Sequence, residues 1–66
     1  MRITANGKPR EVTEQSTVSE LLRSLALPEQ QVVVEHNGQP LPRDRYPHTR
    51  LRPDDRVEIA QMVGGG

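Results

Sequence analysis

The chain has 66 residues, of which 32% are apolar, with no cysteine and one aromatic side chain, Tyr46. A chain of this length forms one domain and has too little interior for a deep catalytic cleft, and the missing thiols exclude disulfides, thiolate nucleophiles and cysteine-ligated metals. Nine basic residues balance nine acidic residues, which excludes the strong positive field expected of a nucleic-acid-binding protein.

The first residues predict a β-hairpin. Ile3 and Ala5 alternate with polar residues, which is the period of a strand with one buried face. Asn6-Gly7 favours a two-residue type I′ turn because both residues tolerate positive φ. Pro9 restricts the returning strand, whose apolar member is Val12, to a sheet edge.

A short helix is predicted next. Thr17 and Glu20 have the spacing of a capping box at its start. Its apolar stripe consists of Val18, Leu21, Leu22 and Leu25. Pro28 disfavours helical geometry at the residue before it, so the helix is expected to end near Ala26 after about 9–10 residues.

Two further strands are predicted in the second half of the chain. The first is the β-branched run from Val32 to His36, followed by an Asn37-Gly38 turn. Prolines make residues 39–52 an irregular segment, with three side chains as its anchors on the core: Leu41, Tyr46 and Leu51. After a turn at 53–55, the last strand is expected at 56–63. It places Val57 and Ile59 on one face, and Glu58, Ala60 and Met62 on the other.

This order of elements predicts an α+β fold. A single amphipathic helix between a hairpin and later strands must cover one face of one sheet. The expected architecture is the ubiquitin-like β-grasp, a mixed sheet of four or five strands packed on one helix. We expect this domain over residues 1–63, followed by a flexible glycine tail at 64–66.

The residue types of common active sites form no convincing catalytic group. His36 is interpreted as an ordinary residue at a strand end and His48 as a solvated loop residue. Asp54 and Asp55 are explained by the turn. No metal site is expected, and the chain is predicted not to be an enzyme. It has neither the apolar run of a signal peptide nor a stretch of about 20 apolar residues that would span a membrane, so the sequence predicts a cytoplasmic protein.

The three terminal glycines are the most informative motif. Gly64-Gly65-Gly66 has no side chains, extends roughly 10 Å and would carry the Gly66 carboxylate on a slim arm. A carboxylate with a pKa of about 3.3–3.7 is a poor electrophile and reacts only after activation, for instance as a mixed anhydride with a nucleotide. With no ATP site in the chain, a partner would supply the nucleotide. The residues alone leave open that the glycines are a frayed terminus or an expression scar.

Several short motifs together resemble the ThiS family of sulfur carriers for thiamine biosynthesis. They are Asn37-Gly38, Pro42-Arg43, Val57-Glu58-Ile59 and Val63-Gly64-Gly65-Gly66. Two positions depart from the family pattern, which often has glycine near Asp54-Asp55 and an aromatic residue at Met62. The second departure concerns the surface that would face a partner.

The resemblance implies a carrier that works through its carboxyl terminus. An E1-like adenylyltransferase of the ThiF type would adenylate Gly66 with ATP and magnesium, while the chain itself binds no cofactor. A sulfur donor supplied by a cysteine desulfurase would convert the adenylate into a thiocarboxylate, and a thiazole synthase of the ThiG type would take the sulfur. Gly64 and Gly65 would thread the partner's active site, with Val63 and Met62 at its mouth. The carrier is expected to be a monomer when alone.

The outward face of the last strand, Ala60 and Met62, is the predicted docking patch, although both residues could equally pack under residues 39–52. Exposed charges could steer a partner or simply be solvated: Arg50, Arg52, Arg56 and Glu58.

Three other functions remain open. The first is sulfur carriage in another pathway, as in the small subunit of molybdopterin synthase. The second is a ubiquitin-like modifier, for which the single lysine, Lys8, makes self-linked chains nearly impossible. The third is a structural or regulatory binding domain with an inert tail.

Overall fold

The computed structural model describes residues 1–62, which form one mixed sheet, an α-helix and two 3-10 helices. The elements in chain order are β1 (Arg2–Ala5), β2 (Lys8–Glu11), α1 (Val18–Ser24), a 3-10 helix (Glu29–Gln31), β3 (Val32–His36), β4 (Gln39–Leu41), a second 3-10 helix (Arg43–His48) and β5 (Arg56–Gln61). The five strands lie in the order β2-β1-β5-β3-β4. β1 and β5 are parallel and the other neighbours are antiparallel. The predicted β-grasp architecture is confirmed.

Both Asn-Gly pairs form the tight turns that the sequence predicts. Asn6 and Gly7 have φ values of 51° and 79°, and Ala5 pairs with Lys8 across the turn. Asn37 and Gly38 have φ values of 52° and 84°. Positive φ at both central residues gives the twist that joins antiparallel strands in a two-residue hairpin.

The prediction that residues 39–52 are irregular is wrong in part. β4 and the second 3-10 helix both lie there. Pro40 is compatible with β4 because this strand is at the edge of the sheet, where a missing N–H costs no ladder hydrogen bond. Pro47 lies within the 3-10 helix. Pro40 and Pro47 are therefore compatible with the elements in which they lie.

The capping box of α1 is confirmed, but the helix is shorter than predicted. The Glu20 N–H donates to Thr17 Oγ1 at 3.2 Å, and the Thr17 N–H donates to Glu20 Oε1 at 2.8 Å. At the other end, Ala26 has φ of 57°, so the helix stops at Ser24. The Leu27 N–H donates to the Leu22 carbonyl at 2.9 Å, which closes the chain in a Schellman-type cap.

The core lies between α1, the second 3-10 helix and the inner face of the sheet. Its buried members are Ile3, Val18, Leu21, Leu22, Val32, Val34, Tyr46, Leu51 and Val57. Tyr46, a predicted anchor, is 1% exposed and donates its hydroxyl proton to the Val32 carbonyl at 3.1 Å. Leu51 is also buried, whereas Leu41 is partly buried. No helix within residues 1–62 is both long and apolar enough to span a bilayer.

Candidate functional site

The candidate site begins where β5 leads towards the carboxyl terminus. β5 lies between β1 and β3, and its last residue is Gln61. The next residue, Met62, still donates its N–H to the Gln31 carbonyl at 2.7 Å. The predicted roles of Val63, Gly64, Gly65 and Gly66 fall outside the described residues and stay predictions, as does the predicted extension of the last strand to residue 63.

The outer face of the sheet carries a small apolar patch beside the end of β5. Met62 is 53% exposed, Val33 is 50% exposed and Ala60 is exposed. Val33 pairs directly with Ala60, so the two side chains share a face. Ala60 and Met62 therefore do not pack under residues 39–52. We call Val33, Ala60 and Met62 the apolar patch.

Val33 is a member of this patch that the sequence reasoning missed. Its neighbours Val32 and Val34 are buried, so the period of two places Val33 on the opposite face. One face of this sheet is exposed to solvent. When the first and third of three consecutive strand residues are buried, the middle residue therefore lies on the exposed face. The signal was therefore present in the sequence.

Two acidic side chains form the next row of the same face. Glu35 and Glu58 are directly opposed on β3 and β5, and both are exposed. Within residues 1–62 neither of them lies in an ion pair. Like charges in directly opposed positions destabilise a sheet. The apolar patch is therefore bordered by negative charge that nothing in the described part of the chain neutralises.

The four charged residues that could steer a partner all lie at the surface. Arg50 donates from Nη1 to the Gln15 side chain at 3.2 Å, and Arg50, Arg52, Arg56 and Glu58 are all exposed. None of the ion pairs found within residues 1–62 includes any of the four. This arrangement agrees with the interpretation of these groups as a solvated charged surface.

Asp55 does more than form a turn. Its buried carboxylate lies 2.8 Å from His36 Nε2 and accepts hydrogen bonds from Asn37 Nδ2 at 3.1 Å and from the Arg52 N–H at 2.9 Å. The contacts with His36 and Asn37 link the β3–β4 hairpin to the residue that precedes β5. The turn itself is confirmed, with Asp54 at φ of 69°.

Within residues 1–62, neither histidine lies in a group of side chains that could bind a metal ion. His36 has one charged partner, Asp55, and His48 is exposed at the end of the second 3-10 helix rather than in a loop. Within residues 1–62, no three side chains of the metal-binding types come together. The structure therefore gives Asp55 and His36 a role in positioning β5.

The pKa of Asp55 reflects this environment. Burial by itself raises the pKa, but hydrogen bonds from His36, Asn37 and the Arg52 N–H outweigh burial, so the pKa lies below its ordinary value of 3.8. A carboxyl group whose pKa is lower in the folded state stabilises the fold above its unfolded pKa. That contribution is lost as the pH falls through the folded pKa.

Replacing Asp55 with asparagine should therefore lower the free energy of unfolding near neutral pH by about 1–3 kcal/mol, because one carboxylate oxygen becomes an N–H₂ donor that faces at least one of the three groups donating to Asp55. The loss of stability on acidification between about pH 5 and pH 2 should also be smaller than in the wild type. Urea unfolding followed by circular dichroism across this range measures both. Asp54→Asn is the matched control, since Asp54 is exposed in the same turn. A pH profile of Asp55→Asn parallel to the wild type would contradict the assignment.

Comparisons with known proteins agree on one family. The model of the ThiS family matches residues 3–66. Over all 66 residues the chain is 32% identical to a thiazole synthase of Paramagnetospirillum magneticum, but it spans only 20% of that protein's length. It is 38% identical over 50 residues to the sulfur carrier protein ThiS of Bacillus subtilis, covering 76% of each chain.

A solved structure gives the same result. The crystal structure of the thiamine biosynthesis protein (ThiS) from Geobacter metallireducens matches with a TM-score of 0.84 and 39% sequence identity, covering 100% of both chains. The match to the family model and this full-length likeness confirm the resemblance indicated by the short motifs. The chain belongs to the ThiS family.

Proposed function

We propose that this chain is a sulfur carrier of thiamine biosynthesis and acts as a co-substrate of partner enzymes. The observation that carries the proposal is the match to the family model, which continues through the terminal glycines to residue 66. The sulfur carrier protein ThiS of Bacillus subtilis, a relative over 76% of its own length, supports the same role. Gly66 is then the residue on which sulfur is carried.

The chemistry uses the terminal carboxylate alone. A carboxylate oxygen of Gly66 attacks the α-phosphorus of ATP, pyrophosphate leaves, and the carbonyl carbon becomes electrophilic. A persulfide derived from a cysteine desulfurase then attacks this carbon and expels AMP. Cleavage of the acyl disulfide by a second thiol leaves the thiocarboxylate and a disulfide. The adenylating enzyme, of the E1-like type, binds ATP and magnesium, so the carrier needs no cofactor of its own.

Thiazole synthase is the proposed acceptor of the sulfur. Two curated relatives, from Paramagnetospirillum magneticum and Magnetococcus marinus, are named thiazole synthases, and the segment similar to this chain is a fifth of each. Joining two modules in one chain raises their effective concentration for each other. The presence of a similar segment within thiazole synthases supports thiazole synthase, rather than molybdopterin synthase, as the acceptor of the sulfur.

The apolar patch is the proposed docking surface for these enzymes. It is small, lies beside the end of β5 and is bordered by the opposed Glu35 and Glu58. A transient interface typically combines a limited apolar centre with a polar rim. Gly64 and Gly65 then enter the partner's active site, with Val63 and Met62 at its mouth.

Intact-mass spectrometry tests this function. After incubation with an adenylating enzyme, ATP, magnesium and a sulfur source, the chain should gain about 16 Da, since one oxygen is replaced by sulfur. The gain should disappear without ATP. An unchanged mass in the presence of an enzyme that modifies its own carrier would contradict the proposal. High-mass adducts that resist reductant and boiling would favour a protein modifier instead.

A further inference from the structure

The edge of β5 that faces β1 is only partly covered. β1 pairs with β5 at two positions, Thr4 with Arg56 and Ala5 with Val57. The next residue, Asn6, donates its N–H to the Val57 carbonyl at 2.9 Å and then enters the hairpin turn. Backbone pairing from β1 therefore ends before the middle of β5.

The side chain of Asn6 extends this pairing by one step. The Ile59 N–H donates to Asn6 Oδ1 at 2.7 Å, and Asn6 Nδ2 donates to the Ile59 carbonyl at 3.1 Å. The amide group thus presents one acceptor and one donor to β5, as a peptide group of a neighbouring strand would. Hydrogen bonds from Asn6 therefore cover this edge of β5 as far as Ile59.

Gln61 is the next residue whose backbone points to this edge. In a strand between two neighbours, consecutive residues direct their backbone groups to opposite sides. Met62 bonds to Gln31 on the β3 side, whereas Val57 and Ile59 bond on the β1 side, so Gln61 also faces the β1 side.

The backbone groups of Gln61 have no partner there within residues 1–62, and the residue is exposed. One N–H donor and one C=O acceptor are left open in the last residue of β5. They lie directly before Met62 and the segment that carries Gly66.

We propose that an extended segment of the adenylating enzyme pairs with this open edge at Gln61 as an added strand. The inference rests on the proposed function and names how the partner holds the carrier. Strand addition recognises backbone groups and requires no particular side chain at the edge. Strand pairing also fixes the direction of the bound chain. When extended, the five residues that follow Gln61, ending at Gly66, cover about 17 Å. Because pairing at Gln61 aligns the chain, less conformational entropy remains to be lost when residues 62–66 enter the active site.

The size of the open edge favours an enzyme over a second copy of this chain. Asn6 occupies the edge at Ile59, so the described part of β5 offers the backbone groups of one residue. Two hydrogen bonds are too few to hold a dimer together. They suit one part of a larger, transient interface that also includes the apolar patch.

Gln61→Pro tests the proposal. Proline removes the N–H that faces the open edge and leaves the β3 ladder intact, and proline is tolerated where a strand's N–H faces solvent. The kcat/KM for adenylation, measured by pyrophosphate release, should fall about tenfold or more, as expected from losing a hydrogen bond and obstructing the added strand. Gln61→Thr, which keeps the N–H donor, should lower kcat/KM by clearly less than Gln61→Pro does. Thermal unfolding establishes that both variants are folded.

A chemically synthesised chain with an ester in place of the Gln61 peptide N–H gives a second measurement that does not depend on proline geometry. It should reduce kcat/KM in the same way. Wild-type rates for both the proline and the ester variants would overturn the inference. So would a defect confined to sulfur transfer to thiazole synthase, or a wild-type dimer that Gln61→Pro dissociates. If the wild type is not adenylated at all, the proposed function itself fails.

Discussion

Replacing Leu22 with alanine should lower the free energy of unfolding by about 2–5 kcal/mol. Leu22 is fully buried where α1 faces the sheet, so the substitution removes apolar contacts and leaves a cavity. Domains are stable by about 5–15 kcal/mol, and a chain this small lies near the lower end. A large part of the Leu22→Ala population should therefore be unfolded at 37 °C. Urea unfolding followed by circular dichroism measures the change.

Leu25→Ala is the matched control for this substitution. It makes the same chemical change on the same side of the helical segment, but Leu25 is only partly buried. Its effect should be clearly smaller, since less apolar surface returns to water. Equal losses for the two variants would contradict the attribution of the cost to burial of Leu22 against the sheet, because alanine has the higher helix propensity and does not itself weaken the helix.

Deleting Gly65 and Gly66 should abolish sulfur carriage. The shortened chain ends in a carboxylate that lies about 7 Å short of its proposed position, so an adenylating enzyme cannot bring it to ATP. No mass gain should be seen with enzyme, ATP and sulfur source. A strain with no other carrier should require thiamine when it expresses this variant. The unfolding midpoint should equal that of the wild type, because the tail is predicted to be separate from the domain.

A chain with one glycine added after Gly66 is the matched control. It keeps a terminal carboxylate and all three glycines, but it moves the reacting carbon by about 3.5 Å. Adenylation should be strongly slowed, since reacting groups must be held close to their productive geometry. Growth without thiamine in the strain expressing the shortened chain would exclude Gly66 as the carrier of sulfur.

The features that depend on neighbouring residues could be predicted from the sequence. Asn6-Gly7 and Asn37-Gly38 adopt the positive φ values of hairpin turns, and Thr17 with Glu20 forms the capping box. Each depends on a few adjacent residues, so local chemistry is enough to predict it. The fold class followed because one amphipathic helix among strands has few ways to bury its apolar face.

The features that depend on residues far apart in the chain could not be predicted from the sequence. Pro40 argued against a strand until its place at the sheet edge was known. Ala26 in a left-handed conformation ends the helix early, and the sequence has no glycine there to indicate it. The buried carboxylate of Asp55 receives hydrogen bonds from the β3–β4 hairpin, 18 and 19 residues earlier in the chain. For the candidate site, strand period was sufficient to find Val33, whereas Gln61 required the sheet order and the Asn6 contacts.

The strand order also determines when the domain can assemble. Among the strands within residues 1–62, β5 is synthesised last, yet it lies at the centre of the sheet, between the β1–β2 hairpin and the β3–β4 hairpin. Two-stranded hairpins have marginal stability in water when isolated. A nascent chain or proteolytic fragment that lacks β5 therefore has no strand through which its two hairpins can pair, so the sheet is completed only after β5 has been synthesised.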